Sequence, residues 1–210
     1  MPDSRDKPKR KRRLRTLLIA ILLLGVGLGI VGMRLAKYGR AKAAVKWIYD
    51  AGGEVKFPYE PGPWWKQIFQ DDFVDSVIVV GLDATQVSDL EPLRELTQLQ
   101  WLSLYGTPIS DLTPLQELTQ LRVISLGRTQ VSDIEPLREL SHLRVLSLDG
   151  TQVSDVEPLH ELTQLEWLDL SGTRVSDLAP LAKMKGVTIH LGKGQQVMVP
   201  ESMWDRVVRE

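Results

Sequence analysis

The stretch Ile109–Leu137, which reads ISDLTPLQELTQLRVISLGRTQVSDIEPL, contains the pattern that decides the fold. Its apolar residues recur before and after it, so the middle of the chain consists of five copies of a 22-residue unit. One unit is too short to bury its leucines alone, whereas stacked units share a continuous core. The repetition therefore predicts a solenoid with one strand and one short helical return per unit. One apolar column contains Leu82, Leu104, Leu126, Leu148 and Leu170, and the column two residues earlier contains Val80, Leu102, Ile124, Leu146 and Leu168.

The unit that begins at Leu99 has the form Leu-x-x-Leu-x-Leu, then Thr-x-Ile-Ser-Asp, then Pro-Leu-x-x-Leu, and the other units repeat it with Val, Ile or Met at some apolar positions. In this form, residues 77–191 resemble the internalin-type leucine-rich repeats of bacterial surface proteins. The resemblance implies a protein-binding module. We predict an α/β fold, a right-handed leucine-rich-repeat solenoid with a parallel concave sheet. The chain departs from the family where Asn is usual, and this predicts a shallower polar ladder because one hydroxyl replaces an amide. Thr85, Thr107, Thr129, Thr151 and Thr173 fill that column.

The segments that flank the repeats are predicted to close the two ends of the core. Residues 35–51 have the apolar spacing of a helix that stops at Gly52-Gly53, and residues 55–59 alternate as a strand does. The aromatic segment 64–69 is expected to cover the first repeat, and contact with a membrane interface is the alternative.

At the C-terminal end the frame slips by one residue, so that strand 187–191 keeps its apolar side inward. Residues 195–199 are expected to pair as a final strand. Residues 200–210 are expected to form a capping helix, with Met203, Trp204 and Val207 inward.

The first 33 residues predict a membrane anchor. Residues 1–15 carry eight basic side chains against two aspartates, although the whole chain has a net charge of −1. Residues 16–33 are 18 uncharged residues, TLLIAILLLGVGLGIVGM. At about 1.5 Å per residue, a helix of this length just spans a hydrocarbon core of about 30 Å. We therefore expect one N-terminal transmembrane helix and a single-pass protein.

The charges around this segment predict its topology and its alternatives. Eight basic residues precede the segment and five follow closely, so the N-terminus is expected in the cytoplasm and the repeats outside it, at the cell inner membrane. A cleaved signal peptide is the alternative, but the only Ala-x-Ala site, at 41–43, lies beyond several basic residues. A nucleic-acid-binding role for the basic run competes too, but such a run beside a span is more often topogenic, and we predict no nucleic-acid partner. Gly25 and Gly29 form a small-xxx-small pair through which two anchors could form a homodimer.

These patterns divide the chain into five predicted parts. They are a basic tail (1–15), a transmembrane helix (16–33), a juxtamembrane helix with an N-terminal cap (34–76), the leucine-rich-repeat domain (77–191) and a C-terminal cap (192–210).

A Ser-Asp pair precedes each return, and it has two interpretations. The aspartates recur as Asp89, Asp111, Asp133, Asp155 and Asp177, and such a ladder of carboxylates could suggest calcium. Each pair, however, comes directly before a turn that contains Pro, and three repeats complete a Ser-x-x-Glu capping box. Calcium sites need several oxygens from one loop with a glycine at its bend. We therefore predict helix capping, with no metal and no cofactor.

The residues do not predict an enzyme. His142, His160 and His190 fall in three different columns and are expected to be solvated surface residues, and no phosphate-binding loop or catalytic triad order occurs. The chain contains no cysteine, so its folding depends on neither oxidation nor reduction.

The strand residues between the leucines predict the binding site, because they must point away from the core. One row of them is apolar, and a row closer to the strand ends is polar and charged, which is the composition of protein-binding hot spots. The alternative is that the caps fold over the two tryptophans. The predicted protein-binding residues are Trp101, Tyr105, Val123, Arg128, Val145, Asp149, Trp167 and Asp169.

The predicted function is therefore a membrane-anchored module that binds a protein or peptide ligand on its concave sheet. The rival is a structural scaffold that self-associates and recognises no separate ligand. Five strands about 4.8 Å apart give a face about 25 Å wide, enough for a modest interface.

Overall fold

The computed structural model describes residues 39–57 and 77–209 of the chain. In this part of the chain, eight strands form one sheet whose order follows the sequence. β1 runs antiparallel to β2, and all later neighbours are parallel, as stacked repeats require. The strands are β1 Glu54–Lys56, β2 Val79–Gly81, β3 Trp101–Ser103, β4 Val123–Ser125, β5 Val145–Ser147, β6 Trp167–Asp169, β7 Thr188–Leu191 and β8 Val207–Arg209.

The core lies between the sheet and the returns. In β4, for example, Ile124 is fully buried while Val123 and Ser125 are partly exposed, because successive strand side chains point to opposite faces. The hydrogen-bond ladder continues past each strand, since the N–H of Leu104 donates to the carbonyl of Ser125 at 2.9 Å. The predicted columns are therefore confirmed as the core. Leu82, Leu104, Leu126, Leu148 and Leu170 are all fully buried.

The returns are 3₁₀ turns rather than longer helices. A 3₁₀ turn rises about 2.0 Å per residue, so it covers more distance with fewer residues than an α-helix, which suits a unit of this length. Each of the five turns within the repeats buries one leucine against the sheet, as Leu137 shows. The turns are Glu91–Glu95, Thr113–Leu115, Glu135–Leu137, Glu157–Glu161, Ala179–Leu181 and, near the C-terminus, Glu201–Arg206.

The aspartate of each Ser-Asp pair caps its return, but the capping box does not form. The Asp133 carboxylate accepts a hydrogen bond of 2.9 Å from the N–H of Glu135, the first residue of its turn. Among the described residues, Ser132 makes no such bond, and the Glu135 side chain does not accept a hydrogen bond from the backbone before the turn. The prediction of a Ser-x-x-Glu box was therefore wrong. The equivalent carboxylate bonds of Asp89, Asp111, Asp155 and Asp177 measure 2.8–2.9 Å.

We expect Asp133→Ala to lower the free energy of unfolding by about 1 kcal/mol, because the N–H of Glu135 loses its acceptor. Chemical denaturation followed by circular dichroism measures the loss. Ser132→Ala is the matched control and should leave stability unchanged. Equal losses in the two variants would show that the capping assignment is wrong.

The threonine column stabilises each turn from inside. The Thr129 hydroxyl donates to the carbonyl of Leu126 at 2.7 Å, three residues earlier in the same repeat. The threonine hydroxyl therefore forms its hydrogen bond within one repeat, which agrees with the shallower polar ladder predicted from the sequence. Beyond the last threonine, Thr173, the Gln195 side chain bonds the backbone instead. Its amide oxygen accepts from the N–H groups of Gly172 and Gly192 at 3.1 and 3.2 Å. Gln195 thus closes the C-terminal end of this ladder.

The N-terminal end is closed by helix α1, residues 39–50, and by β1. The helix ends as predicted at Gly52, which has φ +84°, and the N–H of Gly53 donates to the carbonyl of Ile48 at 2.9 Å. A Cβ on Gly53 would lie 2.6 Å from the carbonyl oxygen of Gly81, so the helix end packs directly on β2. Ala41, Ala44 and Ile48 form the buried side of α1.

The C-terminal end differs from the prediction. Residues 195–199 form no strand and contribute only an isolated bridge between Asp177 and Met198. The final strand is β8, which pairs parallel with β7. Met203 is fully buried in the 3₁₀ turn before it, as predicted, and Arg206 donates to the carbonyl of Met184. The predicted capping helix ends early because Val207 and Val208 favour extended backbone beside the open edge of β7.

Four predicted features lie outside the described residues. They are the basic tail, the transmembrane helix 16–33, the aromatic segment 64–69, and the Gly25 and Gly29 contact. Within the described residues, no helix combines the length and the apolar character needed to cross a membrane.

Candidate protein-binding face

The open face of the sheet lies opposite the returns, where the concave side of the solenoid is expected. The strand register aligns one residue from each of β2 to β6 into a continuous row across this face. Trp101 is 50% exposed in this row, and Trp167 and the valines are partly buried. Four of the predicted site residues therefore stand side by side. We call Val79, Trp101, Val123, Val145 and Trp167 the apolar row.

Both ends of this face contain residues that the sequence analysis did not single out. Lys56 pairs with Val79 at one end of the apolar row, and Thr188 pairs with Trp167 at the other. His190 pairs with Asp169, and its ring centroid lies 5.1 Å from that of Trp167. His190 thus lies at the surface as expected, but it is partly buried against Trp167. The 21-residue spacing of the last unit, from Leu168 to Ile189, is the signal that could have placed His190 beside Asp169.

Three aspartates line the C-terminal ends of the strands, and each already accepts hydrogen bonds from the protein. Asp83 accepts from the N–H of Tyr105 at 2.9 Å, and Asp149 accepts from the hydroxyl of Ser147 at 2.7 Å. Asp169 accepts from the N–H of Ser171 at 2.8 Å. These bonds hold the carboxylates close to the sheet.

Next to these aspartates, one column of residues has left-handed backbone. Arg128 belongs to it with φ +56°, and its N–H donates to the carbonyl of Asp149 at 2.7 Å. The conformation lets each repeat continue the hydrogen-bond ladder into the next one. It costs a residue with a side chain roughly 1–2 kcal/mol, a cost that glycine avoids. The column contains Ala84 (φ +55°), Gly106, Arg128, Gly150 and Gly172.

Arg128 belongs to a compact cluster. Its guanidinium carbon lies 5.5 Å from the centroid of the Tyr105 ring, within range of a cation–π contact. A Cβ on Gly127 would lie 2.0 Å from Asp149 Oδ1 and 2.9 Å from Tyr105 Cδ2, so both side chains lie over the Gly127 backbone. We call Tyr105, Gly127, Arg128 and Asp149 the Arg128 cluster.

Charge on the open face is unevenly paired. Arg144 lies 3.4 Å from Glu166 at the N-terminal ends of the strands. Among the described residues, no carboxylate lies within 4.0 Å of the Arg128 guanidinium, although that side chain is exposed. Arg128 thus retains donors that the described part of the chain does not use in ion pairs.

The perturbed pKa values lie away from the open face. The hydroxyl and the N–H of Thr113 lower the pKa of Asp111, one of the turn caps. Arg138 lowers the pKa of Glu135 through a hydrogen bond on the return side, and that bond raises the pKa of Arg138. At pH values above their usual pKa, both ionised carboxyls therefore stabilise the folded state. This stabilisation is lost as the pH falls through the lowered pKa of each group. In the described segments, no group of three or more His, Cys, Asp or Glu side chains is placed to hold a metal ion.

Comparisons with known proteins agree with this geometry. A family model described as leucine-rich repeats, in two copies, matches residues 97–139. No curated protein matches this chain.

Among the solved structures that match this chain are three bacterial proteins. An internalin C2 from Listeria monocytogenes is 27% identical with a TM-score of 0.57, and the match covers 65% of this chain and 73% of that one. An internalin F from the same species is 22% identical with a TM-score of 0.49, covering 69% and 52%. A leucine-rich-repeat protein from Leptospira interrogans is 17% identical with a TM-score of 0.57, covering 72% and 40%, and it shows the fold alone. The chain thus spans about half or less of the last two proteins.

Leucine-rich-repeat proteins are typically non-enzymatic scaffolds that bind partners on an extended face. The chain carries such repeats, and its solenoid is similar to that of a bacterial internalin.

Proposed function

We propose that this protein binds a protein or peptide ligand on the open face of its sheet and has no enzymatic activity. The observation that carries the proposal is the apolar row, in which Trp101 of β3 stays 50% exposed between two valines. A tryptophan that is free to contact a partner, surrounded by valines and flanked by charges, has the composition of an interaction hot spot.

The chemistry of the flanking residues supports the same proposal. Serine hydroxyls lie directly beside the apolar row, and the three aspartates and Arg128 follow at the strand ends. An apolar centre with a polar rim is the usual anatomy of a protein interface. The internalin C2 likeness supports a bacterial protein of this class, while the partner of this chain is part of the proposal.

The test is selection of a displayed random-peptide library on the immobilised full-length chain in mild detergent. We expect enriched sequences with aromatic or aliphatic residues, and their binding should be lost when Val123 and Val145 are both replaced by lysine. Glu139→Lys, on the exposed return side, is the control and should leave binding unchanged. Absence of any enriched sequence, or equal binding by all variants, would overturn the proposal.

We further propose that residues 16–33 anchor the chain in the inner membrane, with the repeats outside the cytoplasm. The basic excess before this segment supports that orientation. Protease added to spheroplasts is therefore expected to digest the repeats, while a tag at residue 1 stays protected. Protected repeats together with a cleaved tag would mean the opposite orientation.

A further inference from the structure

Arg128 is the one residue of its repeat column that combines strained left-handed backbone with a charged side chain. It adopts the left-handed conformation that Gly106, Gly150 and Gly172 adopt without strain, and its side chain projects from the open face. Tyr105 lies against the guanidinium group, but of the described residues no carboxylate pairs with it. A strained residue with unpaired donors on a candidate binding face points to a ligand.

We infer that Arg128 receives an acidic side chain of the bound protein segment, whose apolar side chain rests on the apolar row. This inference rests on the proposed function and adds the chemistry of the partner. A guanidinium group offers parallel N–H donors that match the two oxygens of a carboxylate, and the Tyr105 ring restricts its orientation.

The groups around Arg128 favour an acidic ligand at this point of the face. The carboxylates of Asp83, Asp149 and Asp169 keep their charge but are held close to the sheet by hydrogen bonds from serine or backbone donors. Arg128 has its guanidinium donors still available for ion pairing.

The spacing between the two contacts follows from the strand. Val123 and Arg128 belong to the same repeat, in which β4 begins at Val123 and the turn that contains Arg128 begins at Gly127, four residues later. Four residues of extended ligand span about 13 Å at 3.3 Å per residue. An extended ligand along β4 would therefore carry its acidic residue about four positions from its apolar residue.

The experiment uses peptides selected from a random library on the full-length chain in mild detergent. The expected sequences contain Asp or Glu about four positions from an aromatic or aliphatic residue. For one selected peptide, dissociation constants are then measured by fluorescence anisotropy, together with those of its carboxylate-to-amide version. The chains compared are the wild type, Arg128→Gly, Arg128→Lys and Ala84→Gly.

We expect the carboxylate-to-amide change to weaken binding to the wild type about tenfold or more. The same change should not alter the affinity of Arg128→Gly, because this variant lacks the guanidinium group that binds the carboxylate. Arg128→Lys should recover part of the affinity, since it keeps the charge but not the paired donors. Arg128→Gly should melt at the same or a higher temperature than the wild type, because it removes backbone strain. Ala84→Gly relieves the same strain two repeats away and should keep full affinity.

The outcomes separate this inference from the proposed function. Enriched peptides that lack acidic residues, or a carboxylate effect that persists in Arg128→Gly, would overturn the role of Arg128 while leaving face binding intact. A library that yields no binder at all would overturn both. A large drop in melting temperature for Arg128→Gly would show that Arg128 has a structural role, and this also contradicts the inference.

Discussion

Leu126→Ala is expected to lower the free energy of unfolding by about 2–5 kcal/mol, the range measured for emptied leucine sites in protein cores. Leu126 is fully buried in the third repeat and has Leu104 and Leu148 as neighbours in its column. Each repeat contacts only its neighbours, so a cavity here weakens the coupling on both sides. The measurement is guanidinium denaturation of the purified chain, followed by circular dichroism.

Leu126→Met is the matched control, because it keeps most of the side-chain volume and should cost less than about 1.5 kcal/mol. Since the substitution lies between two halves of the array, Leu126→Ala should also broaden the transition. A loss below about 1 kcal/mol with an unchanged transition would mean that the leucine columns do not form a shared core.

The fold could be predicted from the sequence because its apolar columns repeat without interruption. Each unit supplies the same alternation of buried and exposed residues, so one register satisfies all interior strands at once. Ile124 of β4 and Leu146 of β5, for example, pair as the 22-residue spacing requires. The ends of the array have no such repetition. This is why the strand expected at 195–199 is absent and β8 occupies the edge instead.

The capping error has a similar cause. The letters Ser-x-x-Glu fit a capping box on an α-helix, but the box geometry depends on a full helical turn. In the 3₁₀ turns of these repeats, the residue before the first turn position is a buried apolar residue, as Ile134 is in the third repeat. The aspartate one residue earlier can still reach the free N–H, so it caps and the serine does not.

The rows of the open face could be predicted from strand alternation, but the contacts within them could not. No pattern in the sequence shows that Trp167 meets His190, or that Arg128 lies over Tyr105. These contacts depend on the last, shortened unit and on the left-handed backbone at Arg128. A column with glycine in three of its five positions was the available signal for that conformation.

Trp101→Ala should weaken binding of a peptide selected on the open face by about 2 kcal/mol, roughly 30-fold, while the melting temperature stays nearly unchanged. Half of the Trp101 surface is exposed, so its truncation removes few core contacts, whereas a partner that covers the ring loses a large apolar area. Anisotropy titration and a thermal melt of the same sample give the two values.

Trp167→Ala should lower stability as well as binding, because the Trp167 ring is partly buried and lies against His190. We expect a comparable loss of binding together with about 0.5–1.5 kcal/mol of stability, the usual contribution of an aromatic pair. His190→Ala should reproduce that stability loss with a smaller effect on the peptide, which separates the two roles of Trp167. If a cap instead covers both tryptophans, each truncation should cost about 3–5 kcal/mol of stability, as for a core aromatic residue. A collapse of the melting temperature in both variants would therefore exclude the apolar row as a binding surface, whatever the peptide titrations show.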